Sequence, residues 1–381
     1  MDIPFIDLAA QRARLGDRLE KAMARVLDHG RFILGPEVAE LEQQLCAFSG
    51  AKHTVTCANG TDALVLALMA LKIGPGDAVL VPSFTFSASA EAVVLAGATP
   101  VFVDVLEDTF NIDPAGLVAG LEAARAAGLK PRAVMTVDLF GQPADYDPIV
   151  GFCGENGLYL IADAAQSFGG SYAGSRVGTL GTITTTSFFP SKPFACYGDG
   201  GALFTEDEDV AALLRSLRVH GQGTNKYDNV RIGMNSRLDT LQAAVLIEKL
   251  SIFEEEIEKR QQVAARYENG LGKAASTSGG DAVATPRVIE GAVSAWALYT
   301  VRIPGDRRNA VREGLSDLGI PTVAYYPLPL HSQPAYDSYP AADLPVSEAT
   351  CDEVLSLPMH PYLGEDVQQV IVEAVGRCLA P

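Results

Sequence analysis

From residue 53 to about residue 205, short runs of consecutive apolar residues alternate with longer stretches whose apolar positions recur at helical spacing. HTVTCANGTDALVLALMAL (53–71) reads as strand, turn and helix, and the helix is apolar nearly all round, which predicts that it is buried. GPGDAVLVPSFTFSASAEAVVLAGATPVFVDV (74–105) gives a turn, a strand, a second helix and another strand. PRAVMTVDLFGQ (131–142) and GLYLIADAAQSFG (157–169) are two more strands, each ending in polar residues. TTTSFFPSKPFACYGDGGALFT (184–205) reads as strand, tight loop and strand, because β-branched and aromatic residues flank a centre punctuated by proline and glycine. Alternation of this kind specifies an α/β protein with a mainly parallel sheet covered by helices, its ligands bound at the carboxyl ends of the strands.

The pattern differs at both ends of the chain. Residues 12–28 carry Leu15, Leu19, Ala22, Met23, Val26 and Leu27 at helical spacing, stopped by Gly30. GPEVAELEQQLCAFSG (35–50) opens a second helix at Pro36 and closes it at Gly50. These two form an N-terminal arm that packs on the large domain or on a partner subunit. Past residue 250 a charged helix (253–271) leads to a strand, WALYTVRI (296–303), a helix near 307–319 and a Pro-rich stretch, YYPLPLH (325–331). The expected division is residues 1–250, arm and large domain, and residues 251–381, a smaller α+β domain. The nearest thing to a flexible insert is 273–286.

Composition narrows the function classes. The 381 residues are 48% hydrophobic and 20% charged, with a formal net charge of −18. An acidic chain of this kind lacks the basic face that a nucleic acid or an anionic membrane requires, so neither is expected as a partner. The longest apolar run, 63–71, is half the length of a membrane span. The six cysteines are scattered without metal-ligand spacing, and the start lacks a basic region followed by an apolar core, so a cytoplasmic protein is expected.

The polar residues fall where such a sheet gathers its ligands. Asn59, Gly60, Thr61 and Asp62 follow a strand and precede a helix, an arrangement that makes either an ordinary N-cap or a phosphate cradle. Phe84 and Phe86 offer aromatic faces for a flat ligand or for the core. Asp163 ends an apolar strand, as a helix cap or as a carboxylate for a ring nitrogen, with Gln166 one turn on and Ser187 five residues before Lys192. Lys192 sits in the Pro-flanked loop, where partial desolvation lowers the pKa of its amine and frees it to attack a carbonyl. A phosphate cradle, a carboxylate, an aromatic face and a desolvated lysine together specify pyridoxal phosphate.

In this order, ANGTDAL, PSFTF, DAAQSFG, SFFPSK, YGDGGA, HGQ, GMNSRLDTLQAA and YYPLPLH resemble the DegT/DnrJ/EryC1/StrS nucleotide-sugar aminotransferases over nearly the whole chain. The resemblance implies the aspartate aminotransferase-like fold type I of pyridoxal phosphate enzymes. It also implies a seven-stranded large domain and a homodimer with active sites at its interface. By that likeness Lys192 is the Schiff-base lysine, Asp163 meets the pyridine nitrogen, and Gln166 lies near the phenolic oxygen. Gly60, Thr61 and Ser187 match the phosphate binders, and Phe86 matches the position that stacks on the ring. Asn235 matches a residue that reaches the phosphate from the other subunit, and Arg237 sits where that loop meets an anionic substrate. Tyr326 and His331 match a substrate-facing loop. Phe194-Ala195 stands where many relatives have Leu-Gly, which changes packing and removes no chemical group.

Some members of the family replace the lysine by histidine and become dehydratases; Lys192 favours amino transfer. The stretches 187–202, 235–244 and 356–363 look most like enzymes that aminate C3 of a UDP-linked 2-acetamido-3-ketohexuronic acid from L-glutamate for a surface polysaccharide. The main alternative is C4 amination of a UDP- or dTDP-4-keto-6-deoxy sugar. A regulatory protein on the same fold would be expected to lack the lysine or to carry an added DNA-binding segment.

Overall fold

Side chains alternate across a strand, and in this protein both faces of the central strands are apolar, so helices must cover both. The computed structural model describes residues 3–225, 227–277 and 283–380, without the side chains of 273–277. Three helices come first: α1 (Leu8–Leu15), α2 (Arg18–His29) and α3 (Pro36–Ser49). Then β1 (His53–Cys57), α4 (Gly60–Ala70), β2 (Asp77–Pro82), α5 (Ala88–Leu95), β3 (Thr99–Val103) and α6 (Leu117–Ala126) alternate. β4 (Lys130–Val137), α7 (Tyr146–Asn156), β5 (Tyr159–Asp163), β6 (Ile183–Ser187) and β7 (Gly201–Thr205) complete a seven-stranded sheet of order β1-β7-β6-β5-β4-β2-β3. The strands from β3 to β6 are parallel, and β7 runs antiparallel to both β6 and β1.

Val79, Val81, Met135, Ile161 and Leu203 pack against Leu64, Leu66 and Leu68 of α4 on one face. Their alternates Leu80, Val134, Leu160 and Phe204 pack against Leu41, Leu45, Ile149 and Phe253 on the other. The all-round apolar helix expected after β1 is buried from Ala63 to Leu68.

After α8 (Glu208–Leu217) comes α9, one helix from Thr240 to Thr277. It absorbs the charged helix expected at 253–271, and the division expected at 250/251 falls inside it. Leu246, Phe253 and Ile257 serve the core of the large sheet, and Val263, Tyr267 and Leu271 serve a second core. That second core is built on the antiparallel pair β8 (Tyr299–Arg302) and β9 (Val354–Leu357), with α10 (Arg308–Asp317) and α12 (Glu365–Leu379); α11 (Pro345–Glu353) precedes β9. The strand expected at 296–303 is shorter because its first residues dock elsewhere. Ala295 and Leu298 donate backbone hydrogen bonds to Gly141 and Phe140, and a Cβ on Gly141 would lie 2.5 Å from the Trp296 nitrogen. Of the expected insert at 273–286, residues 278–282 lie outside the described residues.

The helix expected at 12–28 is two helices. The chain breaks at Gly16, whose φ of 61° is in the region that favours glycine, and Asp7 caps the new first helix through the Ala10 amide at 2.8 Å. The arm lies on its own chain: Leu15 and Leu19 pack with Val245 and Ile252 of α9, and Ala22 and Val26 pack with Ala244. Among the described residues, no helix is long and apolar enough to cross a membrane.

Candidate active site

The sheet topology brings the carboxyl ends of β1 to β6 to one edge. β1 is antiparallel to β7, which is antiparallel to β6, so β1 and β6 end together and Gly201 pairs with both Cys57 and Ser187. Above that edge lies a cavity of about 700 Å³, lined by Gly60, Thr61, Phe86, Asp163, Gln166, Ser187, Lys192 and Tyr326 among others.

Asn59 caps α4 by accepting the Asp62 amide at 2.8 Å, and Gly60 and Thr61 open the helix on the cavity wall. Amides in a first helical turn have no carbonyl one turn back, so they and the helix dipole favour an anion. Two glycines allow the strands to close on this turn. A Cβ on Gly60 would lie 2.7 Å from Cβ of Ser187, and one on Gly201 would lie 2.5 Å from the Asn59 carbonyl oxygen. Gly201→Ala therefore must push the turn off Ser187. Its affinity for pyridoxal phosphate, measured by titrating the cofactor-free protein, is expected to fall roughly tenfold or more, the worth of one charge-assisted hydrogen bond.

Asp163, 5% exposed, sits at the end of β5. Its Oδ2 accepts from Ser89 Oγ at 2.9 Å and its Oδ1 from the Ala165 amide at 3.2 Å. Burial raises its carboxyl above the ordinary range, opposed by those two donors and by the Lys192 charge. Lys192 is half-buried, and burial pulls its ammonium below the ordinary lysine range against the attraction of Asp163. No hydrogen bond or ion pair among the described residues engages its amine, which leaves it free to react. The loop after it is anchored by Phe194, whose ring packs 4.9 Å from Phe253 and edge-on to Phe188 at 5.5 Å. The Phe-for-Leu departure thus adds to an aromatic cluster behind the loop.

Gln166 Oε1 accepts the Phe140 amide at 2.7 Å, and its Nε2 donates to the Tyr326 hydroxyl at 3.4 Å. Burial pushes the Tyr326 phenol well up, so it keeps its proton. The two aromatics of PSFTF divide: Phe84 is 1% exposed in the core, whereas Phe86 is 55% exposed on the cavity wall, its ring 6.2 Å from that of Tyr326.

Behind Asp163 lies a second buried carboxyl, Asp138. It accepts from Ser167 Oγ at 2.7 Å, Tyr146 hydroxyl at 2.8 Å and the Ala144 amide at 2.9 Å. Burial, opposed by these donors, pushes it up from 3.8 to about 6. Between those values the folded protein holds a proton that the unfolded chain has released. This contribution to stability is complete at low pH and lost as the pH rises through the folded value. Relative to Asp138→Asn, the protein is expected to lose about 2 kcal/mol of stability between about pH 4.5 and about pH 7, read by urea unfolding.

Three expected site residues lie off this cavity. Asn235 is exposed, on a loop bridged to Val219, and Arg237 is half-buried with Nε lacking a hydrogen-bond partner. His331 is held at Nδ1 by Ser83 Oγ at 2.7 Å and at Nε2 by Glu348 at 3.2 Å. The wall also includes residues that the sequence did not single out, among them Ile6, Thr85, Asp199 and Leu298. Ser89, which holds Asp163, carried no usable signal: it lies inside α5, and its partner is 74 residues away.

An anion-ready helix start, a buried carboxylate, an open aromatic face and an uncommitted amine around one cavity are the donor set of a pyridoxal phosphate enzyme of fold type I. The model of the DegT/DnrJ/EryC1/StrS aminotransferase family matches residues 14–376, and the chain belongs to that family. It is 48% identical to a UDP-2-acetamido-2-deoxy-3-oxo-D-glucuronate aminotransferase of Pseudomonas aeruginosa, over 98% of this chain and 99% of that one. The fold superposes on a DegT DnrJ EryC1 StrS aminotransferase from Brucella abortus with a TM-score of 0.94, at 49% identity over 98% of both chains. It also superposes on ntda from Bacillus subtilis with bound cofactor pmp, with a TM-score of 0.89 at 27% identity, over 99% of this chain and 85% of that one. The protein is a pyridoxal phosphate-dependent sugar aminotransferase.

Proposed function

We propose that this enzyme transfers the amino group of L-glutamate to C3 of a UDP-linked 2-acetamido-2-deoxy-3-keto-hexuronic acid. In this reading the product enters a surface polysaccharide of the O-antigen type, and the enzyme works in the cytoplasm as a homodimer. The observation that carries the substrate is the end-to-end similarity to the Pseudomonas aeruginosa enzyme. The reaction rests on Lys192 and Asp163 facing one cavity.

Bound pyridoxal phosphate supplies a carbonyl with which amines condense and a ring that withdraws electrons from the bond broken at the amino carbon. Gly60, Thr61 and Ser187 would hold its phosphate, and Phe86 and Gln166 would hold its ring. Asp163 holds a proton at the ring nitrogen. Lys192 would hold the group, and its free amine would take the proton from Cα of glutamate and return one to C3 of the sugar. Tyr326 faces the substrate, and His331, tied to Ser83 and Glu348, holds the loop that carries Tyr326.

The lining residues of this chain offer one cation, Lys192, against Asp62, Asp163 and Asp199. A uronate and a diphosphate need more positive charge, and in a homodimer Asn235 and Arg237 of each copy reach the other's cavity. Arg237 then takes the uronate carboxylate in a bidentate contact. The test supplies the loaded enzyme with L-glutamate and the 3-keto-uronate sugar nucleotide. Stoichiometric 2-oxoglutarate and an amine at C3, located by NMR, are the expected products. Turnover confined to a 4-keto-6-deoxy sugar would overturn the regiochemistry, and loss of water without 2-oxoglutarate would overturn amino transfer.

A further inference from the structure

One oxygen of Asp163 is held by a short chain of hydroxyls. Ser89 Oγ, on α5, donates to Asp163 Oδ2 at 2.9 Å, and Thr85 Oγ1 lies 3.2 Å from Ser89 Oγ. A serine hydroxyl has one proton, and here the carboxylate takes it, so Thr85 is the donor in the second bond. Thr85 and Ser89 are 2% and 1% exposed, so both bonds are shielded from bulk water. Among the described residues, the other oxygen of Asp163 has only the longer bond from the Ala165 amide, at 3.2 Å. Ser89 is thus the nearest group opposing the cost of burying this charge, and it fixes the plane in which the carboxylate lies.

We infer that Ser89, oriented by Thr85, is a positioning residue that keeps Asp163 ionised and aimed so that the proton stays on the cofactor ring nitrogen. The inference rests on the role proposed above for Asp163. Without the serine proton, Oδ2 is a buried acceptor with no partner, and the carboxyl takes the ring proton for itself. Burial already raises the Asp163 carboxyl, and the Ser89 bond is the largest influence holding it down.

The experiment loads the enzyme and its Ser89→Ala, Ser89→Thr, Thr85→Val and Asp163→Asn variants with pyridoxal phosphate labelled with ¹⁵N in the ring. It reads the ring ¹⁵N shift across pH, the cofactor Kd and steady-state kinetics. Ser89→Ala is expected to move the signal toward neutral pyridine, raise Kd roughly tenfold and lower kcat roughly tenfold, with little change in the KM for glutamate. Ser89→Thr, which keeps the hydroxyl, restores all three, and Thr85→Val shifts the signal the same way by less. A wild-type ¹⁵N titration in Ser89→Ala overturns the inference. If that variant does not fold, a wild-type titration in Thr85→Val overturns it instead. A wild-type titration in Asp163→Asn overturns the reading of Asp163 itself, which separates the two failures.

Discussion

Lys192→Ala is expected to lower kcat by about 10⁴-fold or more, because one side chain carries two functions that no neighbour can replace. In the proposed mechanism the amine anchors the cofactor and is the base that moves the proton at the amino carbon. Burial pulls its ammonium below the ordinary lysine range, so more of the unprotonated form is present near neutral pH, while Asp163 limits the shift. No other lysine, arginine or histidine lines the cavity among the described residues. Borohydride reduction followed by mass spectrometry should find the cofactor linked to the wild-type chain and absent from the variant. Methylamine, small enough to enter the space left by the side chain, should recover part of the proton transfer without restoring the link. Lys192→Arg keeps the charge but stays protonated, and is expected to be as inactive as alanine. Turnover above about one-tenth of wild type in Lys192→Ala would refute both roles.

The features of the fold that were legible in the sequence are those set by local chemistry. The alternation of apolar runs and helical spacing predicts the parallel core. Gly30 and Gly50 end helices with φ of 66° and 83°. The break at Gly16 was not legible, because the apolar positions of α1 and α2 continue in phase across it. The continuous α9 was not legible either, because its apolar face passes from one core to another and its composition changes on the way. In the site, Lys192, Asp163, Gln166, Ser187 and the Gly60-Thr61 turn were legible because each stands at a strand end, where a parallel sheet collects ligands. Ser89 has only a position within a helix and a partner 74 residues away. His331 carries the chemistry of a site residue, but its ring nitrogens go to Ser83 and Glu348. Sequence shows what a side chain can bond, and packing decides which partner reaches it first.

Asp163→Asn is expected to lower kcat by about 10³-fold without lowering stability at neutral pH. The two side chains have nearly the same shape, so the cavity and the Phe86 face are retained. An amide cannot balance a positive charge at the ring nitrogen, so the ring loses its proton and with it most of its capacity to withdraw electrons. Stability moves in the opposite sense. Burial raises the Asp163 carboxyl in the folded protein, so its contribution is complete at low pH and diminishes as the pH rises through the folded value. In the proposed mechanism Asp163 holds a buried charge that the function requires and the fold does not. An amide removes that charge while its carbonyl still accepts from Ser89 or from the Ala165 amide. The melting temperature of the variant at pH 7.5 should equal or exceed that of wild type while kcat collapses, a separation expected where activity is maintained at the expense of stability. Parallel losses of melting temperature and kcat would instead make Asp163 a structural carboxylate and remove the ring nitrogen from its role.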